Sequence, residues 1–151
     1  MRAGLYKFIV LLLMLGFSSS LAMATTSDYR QIFVPGFTMG TRTGMMPRAG
    51  FDLSIMKSPT AGDGVRGYGV ITGISGIKPF EYYVGAAAGF AYYIGAWGEV
   101  TLNFVGQDFT GVRALAAGGF IVMPYIAMGY DKRAEHGVYI ETGLTFKLPL
   151  R

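Results

Sequence analysis

The chain has 151 residues, 52% of them apolar and 15% charged, with 23 glycines, no cysteine and a formal net charge of +4. This composition excludes a disulfide scaffold and a thiolate metal site. It is also too oily for an ordinary water-soluble domain and too rich in glycine for a compact helical one. The basic residues are scattered along the chain rather than clustered, so there is no nucleic-acid footprint.

The first element reads as an export signal. Met1-Arg2 and Lys7 give a positive start, Phe8 to Phe17 is an apolar run, Ser18-Ser19-Ser20 breaks it, and Ala22-Met23-Ala24 supplies a small-x-small cleavage pattern. The apolar run is short for a membrane span of ~20 residues, so residues 1–24 are expected to be cleaved, leaving 25–151 as a single domain. Arg2 and Lys7 leave with the signal, so eleven basic and nine acidic residues remain, a balance of +2.

In the remainder, polar breaks recur at short intervals. Tyr29 to Gly40 is a first strand, with Phe33, Phe37 and Met39 on one side and Arg30 and Thr38 on the other, weakened by Pro35. A loop over Thr41 to Pro47 precedes a second strand, Arg48 to Lys57, in which Phe51, Leu53 and Ile55 alternate with Asp52, Ser54 and Met56. Ser58 to Gly64 is a turn cluster. Val65 to Ser75 is a third strand of ambiguous phase, and Gly76 to Pro79 turns the chain. Phe80 to Ile94 sets Tyr82, Val84, Ala86, Ala88, Phe90 and Tyr92 against a face that is small in the middle and carries Glu81, Tyr83 and Tyr93 toward its ends. Gly95 to Gly98 is the expected reversal. Val100, Leu102 and Phe104 then alternate with Glu99, Thr101 and Asn103. Gln107 to Gly111 reads as a loop, Val112 to Ala117 and Phe120 to Tyr130 as strands joined by a Gly118-Gly119 hairpin, and Asp131 to Gly137 as the last loop. In the final segment Val138, Ile140, Leu144, Phe146 and Leu148 share one side, while Tyr139, Glu141, Gly143, Thr145 and Lys147 share the other.

About eight strands with unlike faces, in an exported and glycine-rich chain without cysteine, predict an all-β, antiparallel transmembrane barrel. In such a barrel the closed ladder satisfies every backbone group. The alternative is a two-span helical membrane protein: Tyr82 to Trp97 and Leu115 to Tyr130 are long enough, and Gly85 with Gly89 forms a small-xxx-small pair. Against it, residues 99–104 and 138–148 alternate by two, not 3.6. A secreted water-facing sandwich or lipocalin-like barrel conflicts with the apolar outer side of the last strand.

The ending Glu141-Thr142-Gly143-Leu144-Thr145-Phe146-Lys147-Leu148 resembles the C-terminal assembly signal of outer-membrane barrels, with Glu141, Gly143, Phe146 and Leu148 in the signal positions. Residues 25–151 as a whole resemble the small eight-stranded outer-membrane proteins of Gram-negative bacteria in length and rhythm, although Pro149-Leu150-Arg151 follows where many members end in an aromatic residue. The resemblance implies an outer-membrane location and two partners, membrane lipid and the barrel assembly machinery.

On this reading Glu81, Glu99, Glu141 and Lys147 project inward, with Arg66 and Arg113 placed there too. An eight-stranded lumen is about one side chain wide, so opposite charges within it pair rather than stand alone. Tyr82, Tyr83, Tyr92, Tyr93 and Trp97 lie near segment ends, where aromatics mark headgroup levels. Catalysis finds little support. The single histidine, His136, has Val138 two places on, where lipid A deacylase barrels carry serine, and none of Ser27, Ser54, Ser58 and Ser75 sits in a nucleophile context. No cofactor, transition-metal site or phosphate loop is expected: Gly62-Asp63-Gly64 runs into Val65-Arg66, not Gly-Lys-Ser/Thr. The predicted function is therefore structural or surface-interacting, with a lipid-modifying enzyme using His136 and a helical transport or assembly component as the other readings.

Overall fold

The computed structural model describes residues 29–43, 47–59, 65–76, 80–91, 94–134 and 136–150. The export signal and the Gly62-Asp63-Gly64 turn fall outside them.

Eight strands follow one another: β1 (Tyr29–Arg42), β2 (Pro47–Pro59), β3 (Val65–Ser75), β4 (Glu81–Ala91), β5 (Gly95–Val105), β6 (Asp108–Gly119), β7 (Val122–Asp131) and β8 (Val138–Lys147). Each pairs antiparallel with its neighbours in sequence, and β8 pairs with β1, so the sheet closes on itself. There is no helix among the described residues. This overturns the two-span alternative, because the glycine-rich stretches that looked helical are strands β4 to β7.

The register fixes the shape. From Ile32, the cross-strand partners run through Met56, Gly69, Ala87, Glu99, Leu115, Ala127 and Glu141, and return to β1 at Arg42, ten residues further along. A stagger of ten over eight strands gives a tilt of roughly 40° and a radius of roughly 8 Å, for ~3.3 Å per residue and ~4.8 Å between strands. The connections β1–β2, β3–β4, β5–β6 and β7–β8 leave at one rim; residue 29, the other three connections and residues 148–150 lie at the opposite rim.

Several boundaries differ from the sequence expectation. Gly95 to Gly98 opens β5 instead of turning, so β4 ends at Ala91. The β5–β6 turn is Gly106-Gln107, with Gly106 at φ 59°, and the expected loop over Gln107 to Gly111 lies mostly within β6. Gly118-Gly119 is the end of β6, and the turn falls on the exposed pair Phe120-Ile121. β1 continues through Pro35, whose carbonyl accepts the Leu148 N–H at 3.0 Å, and the Leu150 N–H reaches the Phe33 carbonyl at 2.8 Å. Residues beyond β8 therefore extend the closing seam.

Over much of the barrel, polar side chains point inward and large apolar ones outward. Neighbouring residues show it directly: Phe51 is 64% exposed and Asp52 7%, and Val100 is 60% exposed and Thr101 0%. Inward positions carry large side chains opposite glycines. A Cβ on Gly73 would lie 2.6 Å from the Tyr83 ring, and one on Gly129 would lie 2.7 Å from the Tyr139 hydroxyl. Glycine is thus what lets tyrosines fill a cylinder this narrow.

Candidate functional site

Among the described residues, chemistry-bearing side chains converge in the lumen, which is built in two zones. Toward the rim that carries residue 29, Ile32, Val34, Met56, Met123 and Trp97 form an apolar plug. The remainder is a connected chain of ion pairs.

At the loop-bearing rim, Arg133 binds Asp131 (2.6 Å between Nη2 and Oδ2) and also Glu81. Its hydrogen bonds to Asp131, with the Glu81 carboxylate nearby, hold its guanidinium protonated above even the usual arginine range. Arg48 reaches Glu81 at 2.8 Å. Below them Arg42, wholly buried, meets Asp131 at 2.9 Å, Glu141 at 3.1 Å and Glu81 at 3.6 Å, and lies over the Tyr139 ring at 3.7 Å. Glu141 accepts from Tyr125 Oη at 2.7 Å and from Arg113 at 3.3 Å. Arg113 also pairs with Glu99, which accepts from the Trp97 indole at 3.1 Å. Lys147 closes the chain: its Nζ lies 3.6 Å from Glu99, 2.7 Å from Asp52 and 4.9 Å from the Trp97 ring centroid, and Tyr83 donates to Asp52 at 3.3 Å.

Five bases (Arg42, Arg48, Arg113, Arg133 and Lys147) thus meet five acids (Asp52, Glu81, Glu99, Asp131 and Glu141). The network is neutral, so desolvation of each charge is offset by a partner and not by bulk water. Chemically this arrangement holds strands together and blocks the axis. Each charged group of the network is held by at least one oppositely charged partner.

The structure places the expected residues as follows. Glu81, Glu99, Glu141, Lys147 and Arg113 come together in this network. Arg66 does not: it is exposed on the outer face of β3, while Gly67, Gly69, Ile71, Gly73 and Ser75 take the inner phase. The error has a physical source, since three of those five inner positions lack a side chain to mark the face. Arg42, Arg48, Asp52, Asp131 and Arg133 were missed. Arg42 and Arg48 stood in or beside an expected loop, and Asp131 and Arg133 in another, while Asp52 already stood in the inward phase of its strand. In the C-terminal motif Glu141 and Gly143 face inward, and Phe146 and Leu148 outward. His136 is exposed in the β7–β8 loop, and no hydrogen bond among the described residues involves it. Among the described residues no cluster of three or more His, Asp or Glu is arranged to hold a metal.

No family model, curated protein or solved structure matches the chain.

Proposed function

We propose that the protein is a small outer-membrane β-barrel whose filled, charged interior makes it a structural or surface-interaction element of the cell envelope. The observation that carries this reading is the pairing of a neutral ion-pair network inside with an apolar outer surface. Phe33, Phe51, Val100, Ile126, Met128, Ile140 and Leu144 are all exposed around the barrel. A surface of this kind is stable against acyl chains and aggregates in water. Strands of 10 to 14 residues, tilted by roughly 40°, match the 9–11 residues that cross a ~30 Å hydrocarbon core. The amino-terminal pattern over residues 1–24 supports export, and the alternation that ends at Phe146 and Leu148 supports handling by the barrel assembly machinery.

The short connections at the loop-bearing rim offer little area for a tight protein partner. Among the described residues, Arg42, Glu141, Arg113, Glu99 and Lys147 stand in succession along the lumen, an arrangement that supports a plugged interior. On this reading the barrel does not conduct. The test is twofold. Detergent-extracted protein is expected to give a β-type circular dichroism spectrum and to migrate differently on gels before and after boiling. Planar-bilayer recording is expected to give a flat trace. A soluble, detergent-independent monomer would refute the membrane reading, and stepwise conductance would refute the plugged interior.

A further inference from the structure

The outer surface is not uniformly bulky. On β4, β5 and β6 the outward positions Ala86, Ala88, Gly98, Ala114 and Ala116 are small, and between Tyr68 on β3 and Met128 on β7 they leave an open, almost wholly apolar groove of about 670 Å³. That volume is within the roughly 300–1,000 Å³ of small-molecule sites. The fold does not demand this shape. A Cβ on Gly98 would find no atom nearer than the Leu115 carbonyl oxygen at 3.8 Å, whereas a Cβ on Gly73 would strike the Tyr83 ring. A glycine with room for a side chain weakens its strand without helping the interior, so its smallness serves whatever lies outside.

Two cations stand beside the Tyr68 edge of the groove, outside its lining. Lys57 is the cross-strand partner of Tyr68 and faces outward, and Arg66 faces outward two residues before Tyr68. Neither takes part in an ion pair among the described residues, and Lys57 Nζ is buried without a hydrogen-bond partner there. Asp52, Glu81, Glu99, Asp131 and Glu141 are in the lumen, and Asp108 is at the opposite rim. No described carboxylate balances the two cations.

We propose that this groove binds a phospholipid, with one acyl chain lying across β4 to β6 and the phosphate held between Lys57 and Arg66. Charge complementarity selects this occupant. Length agrees: β3 to β7 is four inter-strand spacings of ~4.8 Å, about 19 Å, which at a strand tilt of roughly 40° rises about 12 Å along the barrel axis, within the one leaflet that is roughly half of the ~30 Å core. A second copy about a two-fold axis would set the groove against itself, concave to concave, and bring four cations together.

The inference rests on the membrane-barrel reading, and its test separates the two. The folded barrel is taken from vesicles of palmitoyl-oleoyl phosphatidylglycerol, or of the matched diacylglycerol, into mild detergent and weighed by native mass spectrometry, with boiled and unboiled gel migration recorded for every variant. One phosphatidylglycerol per barrel is expected to be retained, and no diacylglycerol. Gly98→Leu, which fills the groove without touching the lumen, and Lys57→Gln/Arg66→Gln are each expected to lower retention about tenfold while barrel migration persists. Equal retention in the variants, equal retention of diacylglycerol, or a dimer that Gly98→Leu abolishes would overturn the lipid site and leave the membrane barrel standing. A barrel that needs no detergent would overturn both.

Discussion

Arg113→Leu removes the cation that bridges Glu99 and Glu141. The loss is only partly offset. Glu99 keeps Lys147 at 3.6 Å and the Trp97 indole at 3.1 Å, and Glu141 keeps Arg42 at 3.1 Å and Tyr125 at 2.7 Å. Breaking a buried pair on one side costs about 3–5 kcal/mol, and these remaining partners place the cost near the lower end, about 3 kcal/mol. With a urea m-value of ~2 kcal/mol/M, the unfolding midpoint falls by about 1.5 M. Trp97 is the only tryptophan in the chain and hydrogen-bonds to Glu99, so its fluorescence in phospholipid vesicles reports the transition from within the network. The double variant Glu99→Leu/Arg113→Leu is expected to be more stable than the sum of the single variants by over ~1 kcal/mol, because it leaves one fewer unpaired carboxylate. A single variant within ~0.5 kcal/mol of the wild type, or strictly additive losses, would refute the view that paired lumen charges stabilise the barrel.

Three further outcomes follow from the same geometry. Gly73→Ala sets a methyl group 2.6 Å from the Tyr83 ring and is expected to lower stability by about 1–3 kcal/mol. Gly98→Ala enters open space and is expected to cost nothing, so equal shifts in the urea titration would contradict the packing account. A nitroxide at Leu144→Cys, on the outer face of β8, should collide with oxygen more often than with a water-soluble nickel chelate; the opposite ratio would mean that this face is wet. His136→Ala should leave the lipid A mass spectrum of the cells unchanged, and a gain or loss of acyl chains would restore the enzymatic reading.

The sheet was readable wherever inner and outer side chains differ strongly. In β8, Leu144 and Phe146 against Thr145 and Lys147 mark both faces, and the same holds for Val100 and Leu102 against Glu99 and Thr101 in β5. Legibility failed for two physical reasons. First, much of the inside of this barrel is polar, so residues that belong to strands look like loop residues: Arg42, Thr110 and Asp131 all lie within β1, β6 and β7. Two members of the ion-pair network, Arg42 and Asp131, were hidden this way. Second, glycine carries no face information, which put Arg66 on the wrong side of β3. The Phe120-Ile121 turn was missed for a related reason: turn signals are polar in water, and here Gly119, at φ 146°, precedes two exposed apolar residues.

The register that climbs from Ile32 to Arg42 also bears on how the cylinder comes into being. Arg42 belongs to the first strand, yet two of its carboxylates, Asp131 and Glu141, arrive with the seventh and eighth. Lys147, in the last strand, reaches back to Asp52 in the second. A half-made sheet would leave Arg42 with Glu81 as its one carboxylate partner and Asp52 without its lysine, so successive hairpins gain less until the two ends of the ribbon meet. Joining β8 to β1 is then a single concerted event, and partly zipped intermediates should be too short-lived to accumulate.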